Sequence, residues 1–236
     1  MESAKTILAI GAHIGDMELT CGGVLASAAL KGHRIVTLAL TAGEKGNPPN
    51  LSVAEYRKQK VQEATDFAKA LGGEAIVLDN PDGLLAYTEE NLWQICDIIR
   101  TVKPNILITH WKNSVHKDHA MTHRLVSEAR YFASNAGFER ALPAFPVSHM
   151  LFAENWEDTE DFRPYLYLDT SAGNALWEKE VAKHWFVTHS TDYRYLEYYK
   201  ALSICRGCES GYAHAQAFML RPLRDRLCHE SVTDLL

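Results

Sequence analysis

No apolar stretch in the 236-residue chain approaches the ~18 residues that a membrane span requires, so none is expected. No run of Lys or Arg exceeds two residues, and the formal net charge is -6. A chain without a basic stripe is a poor match for nucleic acid. Cysteine is scarce: Cys21, Cys96, Cys205, Cys208 and Cys228 are odd in number and scattered. That excludes a disulfide framework and points to a reducing, cytoplasmic setting. The opening MESAKTILAI carries an acid and lacks a long apolar core, so no signal peptide is expected. Neither G-x-G-x-x-G nor G-x-x-x-x-G-K-[ST] occurs, which removes the usual nucleotide sites. Without a G-x-S-x-G elbow, a serine hydrolase is not expected. No repeat, low-complexity tract or Gly/Pro/Ser-rich linker divides the chain, so it reads as one domain.

What is present is a core-forming composition, 47% hydrophobic, together with 11 histidines. TILAI (6–10) is a short apolar run stopped by Gly11, and residues 17–31 read as a helix ended by Gly32. RIVTLAL (34–40) is strand-like, and a turn-rich loop follows over 41–50. Ser52 and Glu55 fit a capping box that opens a helix to Leu71. AIVL (75–78) is a third strand. Thr88, Glu89 and Glu90 suit a helix start, and that helix ends before Pro104. NILIT (105–109) is a fourth strand, followed by a helix over 118–134. Strands alternating with helices of this length imply an α/β fold with a mainly parallel sheet covered on both faces. Beyond residue 136 the pattern predicts strands at 147–152 and 165–169 and helices at 173–187 and 193–209.

Ligands of such sheets bind beyond the carboxyl ends of the strands. Those ends carry His13 and Asp16, then Thr41 and Glu44, then Asp79 and Asp82, then His110, His116, Asp118 and His119. Four loops therefore deliver titratable groups to one edge. A catalytic zinc takes three ligands from His, Asp, Glu or Cys and leaves one position for water. His13, Asp16 and one histidine of HKDH meet that count; the plainer reading makes each a loop residue or a helix cap. His119 and His123 share a helix face at i, i+4, but Ala120 stands where H-E-x-x-H needs Glu, so a zincin site is rejected.

Other features read more simply. Cys205 and Cys208, three apart on a helix, are expected to pack. Glu18 lies in a first helical turn, where it meets the helix dipole or buttresses a ligand. Trp111, Trp156, Trp177 and Trp185 supply core or a sugar-binding wall.

AHIGDMELTCGGVLA resembles the A-H-P-D-D-x-E…G-G-x-L-A signature of the PIG-L/LmbE-like, N-acetylglucosaminyl deacetylase superfamily. HWKNSVHKDH resembles its H-P-D-H signature. TAGEKG, the helix YRKQKVQEATDFAKALGG, PDG at 81–83 and RGCESGYAHAQAF keep the family's order of parts. The resemblance implies a Rossmann-like single domain, with 1–135 as the metal-site half and 136–236 as a substrate-pocket or oligomer-side extension. It implies one Zn2+ per chain on His13, Asp16 and His119. It implies His116 as oxyanion stabiliser or acid, oriented by Asp118. It implies Glu44, Arg57, Asp82 and His214 near substrate, hydrolysis of an N-acetylated sugar as activity, and compatibility with homo-oligomers.

The resemblance breaks at two places. The family's general base is the Asp before the second ligand; here that residue is Gly15, and the usual Pro is Ile14. Three outcomes follow. Glu44, Asp82, His110, His116 or His214 takes the proton, and hydrolysis continues with a non-standard base. Alternatively the site holds metal and ligand without turnover. In the third, glycine opens space beside the metal for a substrate carboxylate or phosphate.

Overall fold

The computed structural model describes residues 4–158 and 160–221. Within them, seven strands form one sheet: β1 (Thr6–Gly11), β2 (Arg34–Thr41), β3 (Glu74–Asn80), β4 (Ile106–His110), β5 (His149–Ala153), β6 (Leu166–Asp169) and β7 (Ala215–Leu220). Their order is β3-β2-β1-β4-β5-β7-β6. The five strands from β3 to β5 run parallel, and β7 and β6 close the far edge antiparallel. The expected mainly parallel α/β sheet is therefore present, and strands of both sequence halves share it.

Period-2 alternation sorts β1 onto two faces. Ile7 and Ala9 join Met17, Leu25, Phe67, Trp177 and Val181 in one apolar layer. Leu8 and Ile10 join Leu92, Ile95, Ile99, Leu125 and Ala129 in the other. Helices cover both layers: α1 (Asp16–Thr20), α2 (Gly22–Leu30), α3 (Val53–Ala70), α4 (Glu89–Val102), α5 (Lys117–Ser134), α6 (Asn174–Val181), α7 (Trp185–His189) and α8 (Tyr195–Ser210). Among the described residues no helix is long and apolar enough to cross a membrane.

The predicted caps form. Ser52 Oγ accepts from Glu55 N at 3.3 Å, and Glu55 Oε2 accepts from Ser52 N at 2.9 Å. Thr88 Oγ1 accepts from Asn91 N at 3.1 Å.

Three sequence expectations need correction. The helix predicted over 17–31 is two helices, broken at Cys21 (φ -135, ψ 8). The break is sustained from afar: Trp177 Nε1 donates to Glu18 O at 2.7 Å, and Gln216 Oε1 accepts from Val24 N at 2.9 Å. The helix predicted over 173–187 likewise ends at Val181, and extended backbone at buried His184 opens α7. The strand β7, read only as part of a family signature, pairs with both β5 and β6.

Candidate metal centre and its cleft

The strand order reverses between β1 and β4, so the loops leaving these neighbours diverge and open a crevice. The β1 loop turns back at once, because His13 N donates to Asp16 Oδ2 at 2.7 Å. The β4 loop leads into α5, whose first turn carries Asp118 and His119 and whose N-cap is His116.

Three atoms meet there. His13 Nδ1 lies 3.3 Å from Asp16 Oδ2, His119 Nε2 lies 3.4 Å from Asp16 Oδ2, and the two nitrogens are 3.2 Å apart. A tetrahedral ion with ligand bonds of about 2.0–2.1 Å has ligand edges of about 3.3–3.4 Å. The triangle matches one face of that tetrahedron.

The far side of each ring is held by a carboxylate. His13 Nε2 faces Asp82 Oδ1 at 3.3 Å and Asp118 Oδ2 at 3.4 Å. His119 Nδ1 faces Glu157 Oε2 at 2.9 Å, with Asn155 Nδ2 at 3.3 Å. Carboxylate–histidine pairs of this kind fix the ring and raise its basicity toward a cation. Asp16 Oδ2 also meets His110 Nε2 at 3.0 Å, and that ring stacks on His119 at 4.1 Å.

Burial and the carboxylates pull the pKa values of this cluster in opposite directions. Burial disfavours charge on His13, but Asp16 and hydrogen bonds to Asp118, Asp16 and Asp82 hold its pKa well above the ordinary value. Burial likewise opposes charge on His119, yet Asp16 and Glu157 raise its pKa to about 9. Burial alone would raise the Asp16 pKa, but His119 and His13 hold it well below the usual range.

His116 is arranged differently. Its Nδ1 accepts from Asp118 N at 3.2 Å, so the neutral ring carries its proton on Nε2. Burial and then the charges of His119 and His13 lower its pKa. The Asp118 carboxylate, expected to orient His116, is instead turned to His13 Nε2, Gly83 N at 2.8 Å and Leu85 N at 3.3 Å. Asp118 therefore reaches His116 through its backbone N–H and reaches the triangle through its side chain.

Gly15 stands where the family resemblance implies an acid, and the structure leaves no room for a side chain there. Gly15 has φ +107, and a Cβ there would lie 2.3 Å from Phe186 Cζ. The aromatic ring of α7 fills the volume that a residue-15 side chain would need. Gly15 N donates instead to Glu18 Oε2 at 3.0 Å, and burial raises the Glu18 pKa to about 7.

A cleft of about 530 Å³ opens over the triangle, walled by Tyr56, Lys60, Trp156, Trp185, Phe186 and Tyr195 among others. Trp156 and Trp185 thus reach the cleft, whereas Trp111 and Trp177 are core. Of the residues expected near substrate, Asp82 lines the cleft. Glu44 and Arg57 do not; they pair with each other at 3.4 Å, and Arg57 also binds Asp79 at 2.9 Å. His214 lies away from the cleft on Ser203 Oγ, 3.2 Å distant. Cys205 and Cys208 are exposed rather than packed, and Cys228 lies outside the described residues.

Sequence reasoning missed Glu157, Asn155, Lys60 and Phe186. Glu157 sits in an acidic stretch with no motif spacing. Lys60 carried a signal: it falls on the Glu of the family's R-x-x-E helix pattern.

A mixed α/β sheet with a histidine–carboxylate cluster at its switch point defines a Rossmann-like domain with a candidate metal centre. The chain belongs to the PIG-L family: the family's profile, described as GlcNAc-PI de-N-acetylase, matches residues 8–130. It is 25% identical over 167 residues to the 1D-myo-inositol 2-acetamido-2-deoxy-alpha-D-glucopyranoside deacetylase 1 of Catenulispora acidiphila, covering 58% of this chain and 51% of that protein. It is 26% identical over 168 residues to the corresponding deacetylase of Rhodococcus erythropolis, covering 59% and 57%. The chain spans about half the length of these curated relatives.

Solved structures align over nearly the whole chain. The 4-carboxy-2-hydroxymuconate hydratase GalB of Pseudomonas putida has a TM-score of 0.84 at 20% identity, covering 96% of this chain and 99% of that one. The conserved protein TT1542 of Thermus thermophilus has 0.81 at 25%, covering 96% and 99%. The N,N'-diacetylchitobiose deacetylase of Pyrococcus horikoshii has 0.81 at 21%, covering 99% and 90%. A hydratase and a deacetylase share this fold, so the fold leaves the reaction to the site.

Proposed function

We propose that this chain is a zinc-dependent hydrolase that removes an N-acetyl group from an amino sugar or its conjugate. The observation that carries this reading is the triangle of His13 Nδ1, Asp16 Oδ2 and His119 Nε2, with sides of 3.2–3.4 Å. These three would hold one Zn2+. Zinc bound there would polarise the substrate carbonyl and acidify a water.

The chain's own residues then have separable tasks. Asp82 and Asp118 hold the His13 ring, and Glu157 holds that of His119. His116 presents its Nε2–H to the oxygen on which negative charge develops; its Nδ1 is occupied by Asp118 N, so the ring serves as donor rather than base. With Gly15 unable to act, we assign proton acceptance to Glu157, which lines the cleft and grips His119 through Oε2 only. Trp156 and Trp185 give the cleft flat apolar faces suited to a pyranose ring. The four described cysteines are unpaired, which supports a reducing, cytoplasmic setting.

Phe186 in the place of the family acid favours a second reading, a relative that holds metal and ligand without turnover. Elemental analysis of freshly purified protein, paired with acetate release from N-acetylglucosamine derivatives, separates the two. One zinc per chain with acetate release supports the hydrolase. One zinc, ligand-induced stabilisation and no acetate supports the second. Metal content unchanged by His13→Ala refutes both.

A further inference from the structure

Lys60 lies in the middle of α3, a helix that otherwise presents small and apolar groups to the interior, and it is only 5% exposed. Burying an ammonium without a partner is expensive, and native chains pair such groups. Lys60 has neither an ion-pair partner nor a hydrogen-bond acceptor among the described residues; its close contacts are rings, with Nζ 4.6 Å from the centroid of Phe186 and 5.7 Å from that of Tyr56. Burial lowers its pKa, against the more distant pull of Asp16, Asp82, Glu63 and Glu18. None of these four carboxylates is in ion-pair contact with it, so charge balance alone does not explain its place.

The position is specific. Lys60 lines the cleft beside the metal triangle. Gly43, at φ +69, passes between the two groups: a Cβ there would stand 2.9 Å from Lys60 Nζ and 2.9 Å from His13 Cβ. The ammonium and the first histidine ligand thus flank one glycine. One helical turn earlier, Tyr56 carries a buried hydroxyl that also lacks a partner. Two unsatisfied donors of α3 therefore stand at the same end of the cleft.

Resting on the reading of this cleft as the substrate site, we propose that Lys60 anchors a carboxylate of the substrate, so that the natural substrate is an acid rather than a neutral sugar. A carboxylate suits the place better than a phosphate. It needs few donors, and Lys60 Nζ with the unpartnered Tyr56 hydroxyl supplies two at this end of the cleft, whereas phosphate sites gather several donors or an Arg fork. The aromatic wall excludes water around the pair and strengthens it.

The test uses malonate as probe, with the neutral isostere malonamide and inorganic phosphate as controls. Calorimetric titrations are run on wild type, Lys60→Met and Lys60→Arg, each zinc-loaded and chelated. Malonate is expected to bind wild type in both metal states and to bind Lys60→Met about tenfold or more weakly, as for a lost charged hydrogen bond. Lys60→Arg should retain most of the binding. Equal binding to wild type and Lys60→Met, binding of malonamide as tightly as malonate, phosphate bound as tightly as malonate, or no malonate binding to wild type each overturn the proposal. Should Lys60→Met fail to fold, a malonate-soaked wild-type crystal decides: a carboxylate oxygen at about 2.7–2.9 Å from Nζ supports it, and malonate elsewhere refutes it. Zinc titration of the same samples reports on the metal separately. Protein that binds malonate through Lys60 but no zinc sinks the metal reading and leaves the anion site standing.

Discussion

The Phe186 ring occupies the position of the side chain that residue 15 does not have: a Cβ built on Gly15 would lie 2.3 Å from Phe186 Cζ and 2.5 Å from Cε1. The absence of a side chain at residue 15 and the seating of α7 against the β1 loop are therefore complementary in packing.

Gly15→Asp by itself is therefore expected to damage the fold rather than repair a base. Strain at φ +107 costs about 1–3 kcal/mol for a non-glycine residue, before any clash is counted. Thermal unfolding should show a loss of several degrees for Gly15→Asp. Pairing it with Phe186→Gly should recover the part due to the ring but not the part due to φ. Wild-type stability in Gly15→Asp would refute the packing described.

The carboxylates behind the histidines should act on the metal, Asp118 through His13 alone and Glu157 through His119 as well as in proton transfer. Asp118→Asn and Glu157→Gln are each expected to weaken zinc binding about 10–100-fold. His13→Ala should abolish it. Competition with a chromophoric chelator measures all three, and unchanged affinity in Asp118→Asn would show that its contact with His13 is incidental.

Metal binding should be coupled to pH. Protonated His13 and His119 stabilise the metal-free fold below the free-histidine pKa of ~6.5, and that contribution is lost as pH rises. For His119 the loss runs through about 9. Chelated protein should thus become less stable from neutral pH toward pH 9, while zinc affinity climbs over the same window as the protons leave. Unfolding of chelated protein across pH, and calorimetry in two buffers of different ionisation enthalpy, test the two halves. Zinc uptake without proton release at pH 7 would contradict the placement of both rings.

His116 offers a clean separation of roles. His116→Asn should keep the N-cap of α5, because Asn caps well, while removing the Nε2–H donor. If the protein turns over, kcat should fall about 10²–10³-fold with zinc content unchanged. His116→Ala should add a stability loss of about 1 kcal/mol from the missing cap. A kcat unaffected by His116→Asn would remove His116 from the chemistry.

Much of the candidate metal site is legible in the sequence alone. A strand stopping at a glycine with His13 and Asp16 beyond it, and a second strand followed by His116, Asp118 and His119, place ligating groups at one sheet edge by alternation alone. The roles of individual carboxylates are not legible. The family pattern makes Asp118 the partner of His116, yet its side chain turns to His13 Nε2. It places Arg57 and Glu44 toward substrate, yet they satisfy each other. Spacing says which loop a residue occupies, but a side chain's direction depends on rotamers chosen by neighbours far away in sequence.

Local chemistry was sufficient for the parallel βαβ half, its capped helices and the two loops that bear the candidate ligands, because those depend on periodicity and on contacts a few residues apart. It was not sufficient for the break at Cys21, the β7 strand, the closure of the Gly15 site by Phe186, or the burial of Lys60 beside His13. Each of those depends on groups separated by about 17 to 200 positions along the chain. Such groups meet only after the sheet has assembled, and which of them fills a given volume is settled by close packing rather than by propensity.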